Sequence, residues 1–505
     1  MIKTNKKTQK KIERRQEQKA KKQGLKEAAN KTKRNILNRK CGFQTAEEEI
    51  EYNHQVGGEA LKVYKKYLPD ILKDLASMND PRNPRKIKHQ QTMLMLYGIL
   101  MFVFHIASRR DANQEMTRIF MDNIKEFFPE LDSLPHADTL ARLLEKIDVK
   151  EIEGAIIKLV KRLMVNKKLE RYKVFNQYII AIDGTGKFTR DWEWCENCLK
   201  KHVKGKSEDV NKYYVYALEA SLVLPNGLTI PLMTEFLDRK EYSVGENESE
   251  KLKQDCERKA TKRLAKRLKK AFPMLGITLT LDGLFANGPI IEMCKEYEWD
   301  CMIVLKDKSL KTVWEDIGKL KKTGNVERHY VELPYDVQQE FWWVNSIEYR
   351  YGNNGCNCTK INVVVCEEFY NEIDEKTGLE VQKRRKFAWL SSRKITKGNV
   401  EKRCNDIGRP RWNIETQNLV EKHHGYSYQH CFSYNWNAMK GFHYLMHLGY
   451  IINLLTLYSK NMINNIREKG VRRTIRLLKK IFDGILDYDK LNSMINIRYQ
   501  VRLEI

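Results

Sequence analysis

The chain has 505 residues and carries 92 Lys and Arg against 66 Asp and Glu, a formal net charge of +26. A hydrophobic content of 42 % excludes wholesale disorder, and at roughly 150 residues per domain the length suggests about three domains. A pI near 9.4 points to a polyanionic partner, with nucleic acid as the first candidate.

The charge is concentrated at the start. Residues 1–40 hold 16 Lys and Arg against three Glu, half of the whole excess, and almost no large apolar side chains. Such a stretch cannot build a core, so residues 1–45 are expected to be a disordered basic tail that binds phosphates without reading sequence, or a solvated tail. No apolar segment follows the basic start, so no secretory signal is expected. The 11 cysteines are irregularly spaced, which fits reduced thiols in a cytosolic, nucleoid-associated setting.

Residues 46–170 read as helical. Apolar residues at Met116, Ile119, Phe120, Ile124, Phe127 and Phe128 follow helical spacing, and Leu140, Leu143, Leu144 and Ile147 repeat it behind an expected N-cap at Asp138. The two short helices flanking residues 129–138 fit either a helix-turn-helix module or plain packing. The apolar runs 93–107 and 442–458 are shorter than the ~20 residues a bilayer crossing needs, and both read as buried helices.

From residue 171 the pattern changes to strands. QYIIAID (177–183) is an apolar run ending in a carboxylate, and 212–224 with 228–237 read as a hairpin. A basic helix follows, with Leu252, Cys256, Ala260, Leu264 and Leu268 along one side. Then come a strand ending at Asp282, a helix near 288–298 and a strand over 300–307. Residues 171–318 thus predict an α/β fold with a mixed sheet, its carboxylates at strand ends, where such sheets place their chemistry. Residues 319–395 are rich in aromatic and β-branched residues and read as a strand-rich insertion that does not continue this sheet. Residues 396–459 read as the last part of the core, with helical pattern returning from Trp412 through Ser459. The C-terminal segment, 460–505, contains a basic amphipathic helix with Val471, Ile475, Leu478, Phe482 and Ile485 on one side, read as a dimerisation surface in preference to a membrane-lying helix.

Three carboxylates stand out: Asp183 in AIDGTG, Asp282 in TLDGLFANGP and Glu415 in GRPRWNIETQNLVEKHHG. Phosphodiester cleavage without a covalent intermediate calls for two divalent cations roughly 4 Å apart, and converging Asp and Glu oxygens suit Mg²⁺. Arg411, Glu415 and Lys422 fit R-x3-E-x6-K. This resembles the signature of DDE transposases of the insertion-sequence-four type, in which Y-x2-R-x3-E-x6-K surrounds the last catalytic carboxylate. AIDGT and LDGLFANGP resemble that family's blocks around its two Asp residues, and the likeness covers roughly residues 80–460. The position matching the signature Tyr is Gly408, which removes an aromatic hydroxyl that helps to hold the DNA end in the family.

The resemblance implies a ribonuclease-H-like catalytic domain in which Asp183, Asp282 and Glu415 bind two Mg²⁺ ions, with Mn²⁺ able to substitute. It implies that Arg411 and Lys422 contact phosphate near the cleaved end. The activity implied is cut-and-paste transposition: water cleaves the element end, and the freed 3′-OH attacks target DNA. Double-stranded DNA is the partner, held by a homodimer, with no membrane involved. Relatives with this insertion can pass through a DNA hairpin, with an aromatic residue stacking on a flipped base. Trp389 is the candidate for that stacking, or else a core residue; Trp342 and Trp343 are weaker candidates. The alternatives are an inactive DNA-binding derivative or a host nuclease of the same fold.

Cys195 and Cys198, followed by His202, look like part of a zinc knuckle, but only three ligands are local and a structural Zn²⁺ normally takes four, so zinc is not expected there. Gly184 and Gly186 are too few for a dinucleotide fingerprint. His423 and His424 read as a helix end.

Overall fold

The computed structural model describes residues 43–129, 133–203, 210–224, 227–239, 250–334, 336–373, 380–484, 486–496 and 502. The basic tail expected over residues 1–45 lies almost wholly outside them, as do Ile485 and the side chains of Leu252 and Cys256.

The N-terminal helices are α1 (Ala46–Ala76), α2 (Gln91–Val103), α3 (Arg109–Glu115), α4 (Arg118–Lys125), α5 (Ala137–Leu144) and α6 (Lys150–Val165). Thr45 starts α1 by accepting from the Glu48 amide, and three glutamates in its first turn complement the helix dipole. The N-cap of α5 is His136, not Asp138. Its ring accepts from the Asp138 amide, while the Asp138 carboxylate sits in the first turn and pairs with Arg109 at 2.8 Å.

The two long apolar runs bury each other. Helix α2 packs along a later helix, α11 (Trp436–Leu457), and nearly every residue of both is buried. Gly449 permits the close crossing: a Cβ there would lie 2.7 Å from the Phe102 side chain and 3.2 Å from the Ile99 carbonyl. Asn453 donates to the Val103 carbonyl at 3.0 Å and so satisfies an end of α2. No helix among the described residues is long and apolar enough to cross a membrane.

Among the described residues, ten strands form one mixed sheet. They are β1 (Tyr178–Arg190), β2 (Leu199–Val203), β3 (Val210–Val223), β4 (Thr229–Phe236), β5 (Ile277–Leu281), β6 (Asp300–Val304), β7 (Glu327–Leu333), β8 (Val337–Tyr351), β9 (Asn357–Ile373) and β10 (Glu380–Ser391). Strand β3 is antiparallel to β1, β2 and β4, whereas β5 runs parallel to β1 and β6 parallel to β5. Helix α7 (Glu250–Ala271) connects β4 to β5 and buries Ala260, Leu264 and Leu268. Helices α8 (Gly288–Glu296) and α9 (Lys311–Lys322) follow β5 and β6.

The strand-rich segment does continue the sheet, which corrects the sequence reading. Trp389, Leu390 and Ser391 of β10 pair antiparallel with Val304, Ile303 and Met302 of β6, and β9, β8 and β7 follow outward. A three-residue junction is enough, because it satisfies the free edge of β6.

The C-terminal part holds α10 (Asn413–His423), α11, α12 (Ile463–Lys469), α13 (Val471–Phe482) and α14 (Tyr488–Asn496). The apolar side of α13 is covered within the chain, packing on α1 and α4. Ile475, Leu478 and Phe482 are buried, and Phe482 meets the rings of Tyr64 and Phe104. Ile475, Leu478 and Phe482 are therefore spent on a contact within the chain.

Candidate active site

Asp183 and Asp282 are brought side by side by strand register. Strands β1 and β5 are parallel, with Ile182 opposite Leu281, and the next residue on each is an aspartate. Asp282 ends β5, as expected. Asp183 does not end its strand: β1 runs on to Arg190, still paired with β3. The space beside Gly184 is filled by the Tyr216 ring, so a glycine strand passes where a larger residue could not.

Glu415 comes from a helix much later in the chain. Residues 400–412 form a helical run with π-helical Arg403–Gly408 and 3₁₀ Arg409–Trp412, leading directly into α10, of which Glu415 is the third residue. Arg411, only 2 % exposed, donates to Glu415 at 2.8 Å and reaches Asp183 at 4.0 Å. It is thus a buried bridge between two of the three carboxylates. Lys422 lies on the same helix, half-buried near Asp183, with its ammonium 5.8 Å from the Tyr428 ring. His423 ends α10, as the sequence suggested, and His424 caps it.

Asp183 and Asp282 sit in different electrostatic surroundings. Burial raises the Asp183 carboxyl to about 6; Arg411 opposes this, while Glu415 and Asp282 add to it. Burial would also raise Asp282, but a hydrogen bond from Lys306 at 2.7 Å and the Gly283 amide hold it below its ordinary range. Burial pulls Lys422 downward, against the carboxylates of Glu421 and Asp183. Asp183, Asp282 and Glu415 are met by Arg411, Lys306 and Lys422, and among the described residues the three carboxylates do not gather as closely as a metal-ligand set.

Lys306 was not anticipated, although it follows β6 as Asp282 follows β5, so the same strand-end argument reaches it. Nor was Trp412, beside Arg411 in the signature. It is 56 % exposed, and the Arg411 guanidinium lies 4.8 Å from its ring.

Trp389 is placed differently from a free stacking platform. It is 3 % exposed and stacks on Phe387 at 5.8 Å. It forms one wall of a cavity of about 380 Å³ that Lys306, Lys386, Phe387, Arg409 and Trp412 also line. Trp342 and Trp343 are buried in β8 and belong to the core.

Cys198 donates to the Cys195 carbonyl at 2.7 Å, and His202 stands exposed on β2, 3.3 Å from Asn211. Among the described residues, these three do not gather as a ligand set; the group that does is Glu219, His443 and His447.

No curated protein matches the chain. Residues 72–160, covering α2 to α5 with the flanking end of α1 and most of α6, match the family described as DDE_Tnp_1-associated. That segment precedes all three carboxylates, and it links the chain to transposases of the DDE_Tnp_1 group.

Proposed function

We propose that the protein is a DDE transposase of the insertion-sequence-four type that cuts double-stranded DNA at element ends and joins them to target DNA. The observation that carries this reading is that Asp183 and Asp282 each follow the register pair Ile182–Leu281, with Glu415 tied to Asp183 through Arg411. An antiparallel meander followed by two strands parallel to the first, with carboxylates at the first and the next parallel strand, supports a ribonuclease-H-like core. The match over residues 72–160 supports the transposase reading independently of the cleft.

Asp183, Asp282 and Glu415 would hold two Mg²⁺ ions, or Mn²⁺, which when bound supply Lewis-acid stabilisation to the attacking and leaving oxygens. Arg411 orients Glu415, and Lys306 fixes Asp282. Lys422 and the exposed Trp412 border the cleft, where an ammonium meets phosphate and an indole meets a base. Trp389 serves the same end from inside the cavity wall, should a base enter it. Hydrolysis at the element end leaves a 3′-OH. Its attack on a target phosphodiester forms one P–O bond as another breaks, so joining needs no external energy source. Two copies would hold the two ends.

Alanine at Asp183, Asp282 or Glu415 should abolish Mg²⁺-dependent strand cleavage of DNA carrying the element ends. Retained cleavage in any one variant removes that residue from the mechanism. A strand-transfer assay with pre-cleaved ends separates a transposase from a nuclease of the same fold, which would cut but not join.

A further inference from the structure

A second cluster of ligating side chains lies beneath the cleft, fully buried and built from three elements. His443 and His447, one turn apart on α11, face the same way with ring centroids 4.2 Å apart. Their Nε2 atoms meet Glu219 from β3: His443 Nε2 is 3.4 Å from one carboxylate oxygen and His447 Nε2 is 3.9 Å from the other. Glu421 from α10 stands next to His447, with an oxygen 3.6 Å from its Nε2. All four side chains are at most 1 % exposed.

The carboxylates are oriented from outside the cluster. Tyr428 donates to Glu219 at 3.0 Å and Thr234 to its other oxygen at 2.8 Å, and Gln417 holds one oxygen of Glu421 at 2.8 Å. Thr234 also lies 2.9 Å from His443 Nε2. What these contacts leave over points inward. His447 Nε2 and the second Glu421 oxygen have no hydrogen-bond partner, although both are fully buried. An unpaired buried polar atom is costly, and two aimed at one another across a common centre mark a place for a bound ion.

We propose that Glu219, Glu421, His443 and His447 form a structural zinc site. Two imidazoles and two carboxylates make four donors, which a tetrahedral Zn²⁺ takes in closed structural sites, whereas Mg²⁺ and Ca²⁺ prefer oxygen alone. With Zn–ligand bonds near 2.0–2.1 Å, donor atoms of a tetrahedral ion lie about 3.3 Å apart. The 3.4 and 3.9 Å separations run to the two different oxygens of Glu219, and Glu421 lies outside the close group of Glu219, His443 and His447, so its carboxylate must move inward to complete the four donors. Lys187, whose ammonium lies 4.2 Å from the Tyr428 ring, balances one of the two carboxylate charges. Burial disfavours charge on His447, but Glu421 and Glu219 outweigh it and push the imidazole up, so in the metal-free protein its proton offsets the second carboxylate charge, the place the metal would take.

The position gives the site a purpose. Glu219 is the cross-strand partner of Asp183, and Glu421 lies on the helix that carries Glu415. A metal there would clamp that helix to the strand beside the first catalytic aspartate, and both to α11. The inference does not depend on the transposase reading, since it concerns metal content and shape alone.

The test uses the full chain, stripped with a chelator and dialysed against Zn²⁺ or Co²⁺. Expected are about one Zn²⁺ per chain by elemental analysis, the visible absorption of tetrahedral Co²⁺, and an X-ray absorption shell of nitrogen and oxygen at about 2.0–2.1 Å. His447→Gln and Glu421→Gln, which keep size and shape, should each weaken Zn²⁺ binding at least about tenfold. Asp282→Asn should bind it undiminished. A chain that takes up no stoichiometric Zn²⁺, a shell containing sulfur, or full binding in both Gln variants would overturn the proposal. So would loss of the metal in Asp282→Asn. The Co²⁺ spectrum of the unaltered chain decides the matter even if a variant does not fold.

Discussion

The indole of Trp389 occupies the space that a side chain at residue 408 would need: a Cβ on Gly408 would lie 2.8 Å from two of its ring atoms and 3.0 Å from the Met302 methyl. The glycine that stands at the signature Tyr position is therefore a packing requirement, and tyrosine and this tryptophan exclude one another. Gly408→Ala should destabilise the fold by about 1–3 kcal/mol, the usual cost of overpacking. Gly408→Tyr should cost more, and adding Trp389→Ala should recover part of the loss. Denaturant unfolding of the three variants checks this; equal stability of Gly408→Tyr with and without Trp389 would break the link.

Asp183 makes the metal-free protein sensitive to pH. Its folded carboxyl is raised from 3.8 to about 6, so the folded state binds that proton more tightly than the unfolded one. Stability contributed by this group is present below about pH 4 and is lost as pH rises through about 6, an upper bound of about 3 kcal/mol. In chelator, Asp183→Asn should therefore be the more stable protein at pH 8 and no different at pH 4. Urea midpoints at the two pH values measure it.

Removing Arg411 takes away the positive charge that opposes this rise. Arg411→Gln should shift the acid limb of the Mg²⁺-dependent cleavage profile to higher pH and lower the plateau, because Glu415 loses its 2.8 Å partner. A lower plateau with the limb unmoved would show that Arg411 acts only by positioning.

Arg267 joins the N-terminal helices to the sheet. It pairs with Glu153 of α6 and with Glu235 of β4 at 2.7 Å, while Glu153 also accepts from the Thr234 amide at 2.7 Å. Glu153 is almost fully buried, so Arg267→Ala strands its charge and should cost about 3–5 kcal/mol. Adding Glu153→Gln should return much of that. Thermal unfolding of the single and double variants tests the coupling.

Trp412 is exposed, so Trp412→Ala should leave stability within about 0.5 kcal/mol. If its indole stacks on an unpaired base, binding of element-end DNA with frayed termini should weaken by about 1–3 kcal/mol. Fluorescence anisotropy with frayed and fully paired ends separates stacking from a general loss of affinity.

Much of the fold was legible because short apolar runs and turn residues are local signals. The cores of β1, β3, β4, β5 and β6 lie where these patterns place them, and so do the buried helices α2 and α11. The extension of β1 past Asp183 was not legible, since glycine in a strand looks like a turn until its neighbour Tyr216 is known. The joining of β10 to β6 was not legible either. Alternation reveals that a strand exists but not which edge it will satisfy. The amphipathic side of α13 was visible; its occupants, helices α1 and α4, were hundreds of residues away.

What the sequence determined by itself was the kinds and order of chemical groups: a large basic excess, three carboxylates in recognisable settings, and Arg411 and Lys422 spaced around Glu415. Tertiary structure alone decided which of them meet and in what medium. It buried Arg411 between Asp183 and Glu415, turned Trp389 inward and left Trp412 at the surface. It also drew Glu219, His443 and His447 together, with Glu421 beside His447. Desolvation and Coulomb terms depend on distance and burial, not on chain separation, so such properties exist only once distant segments have packed.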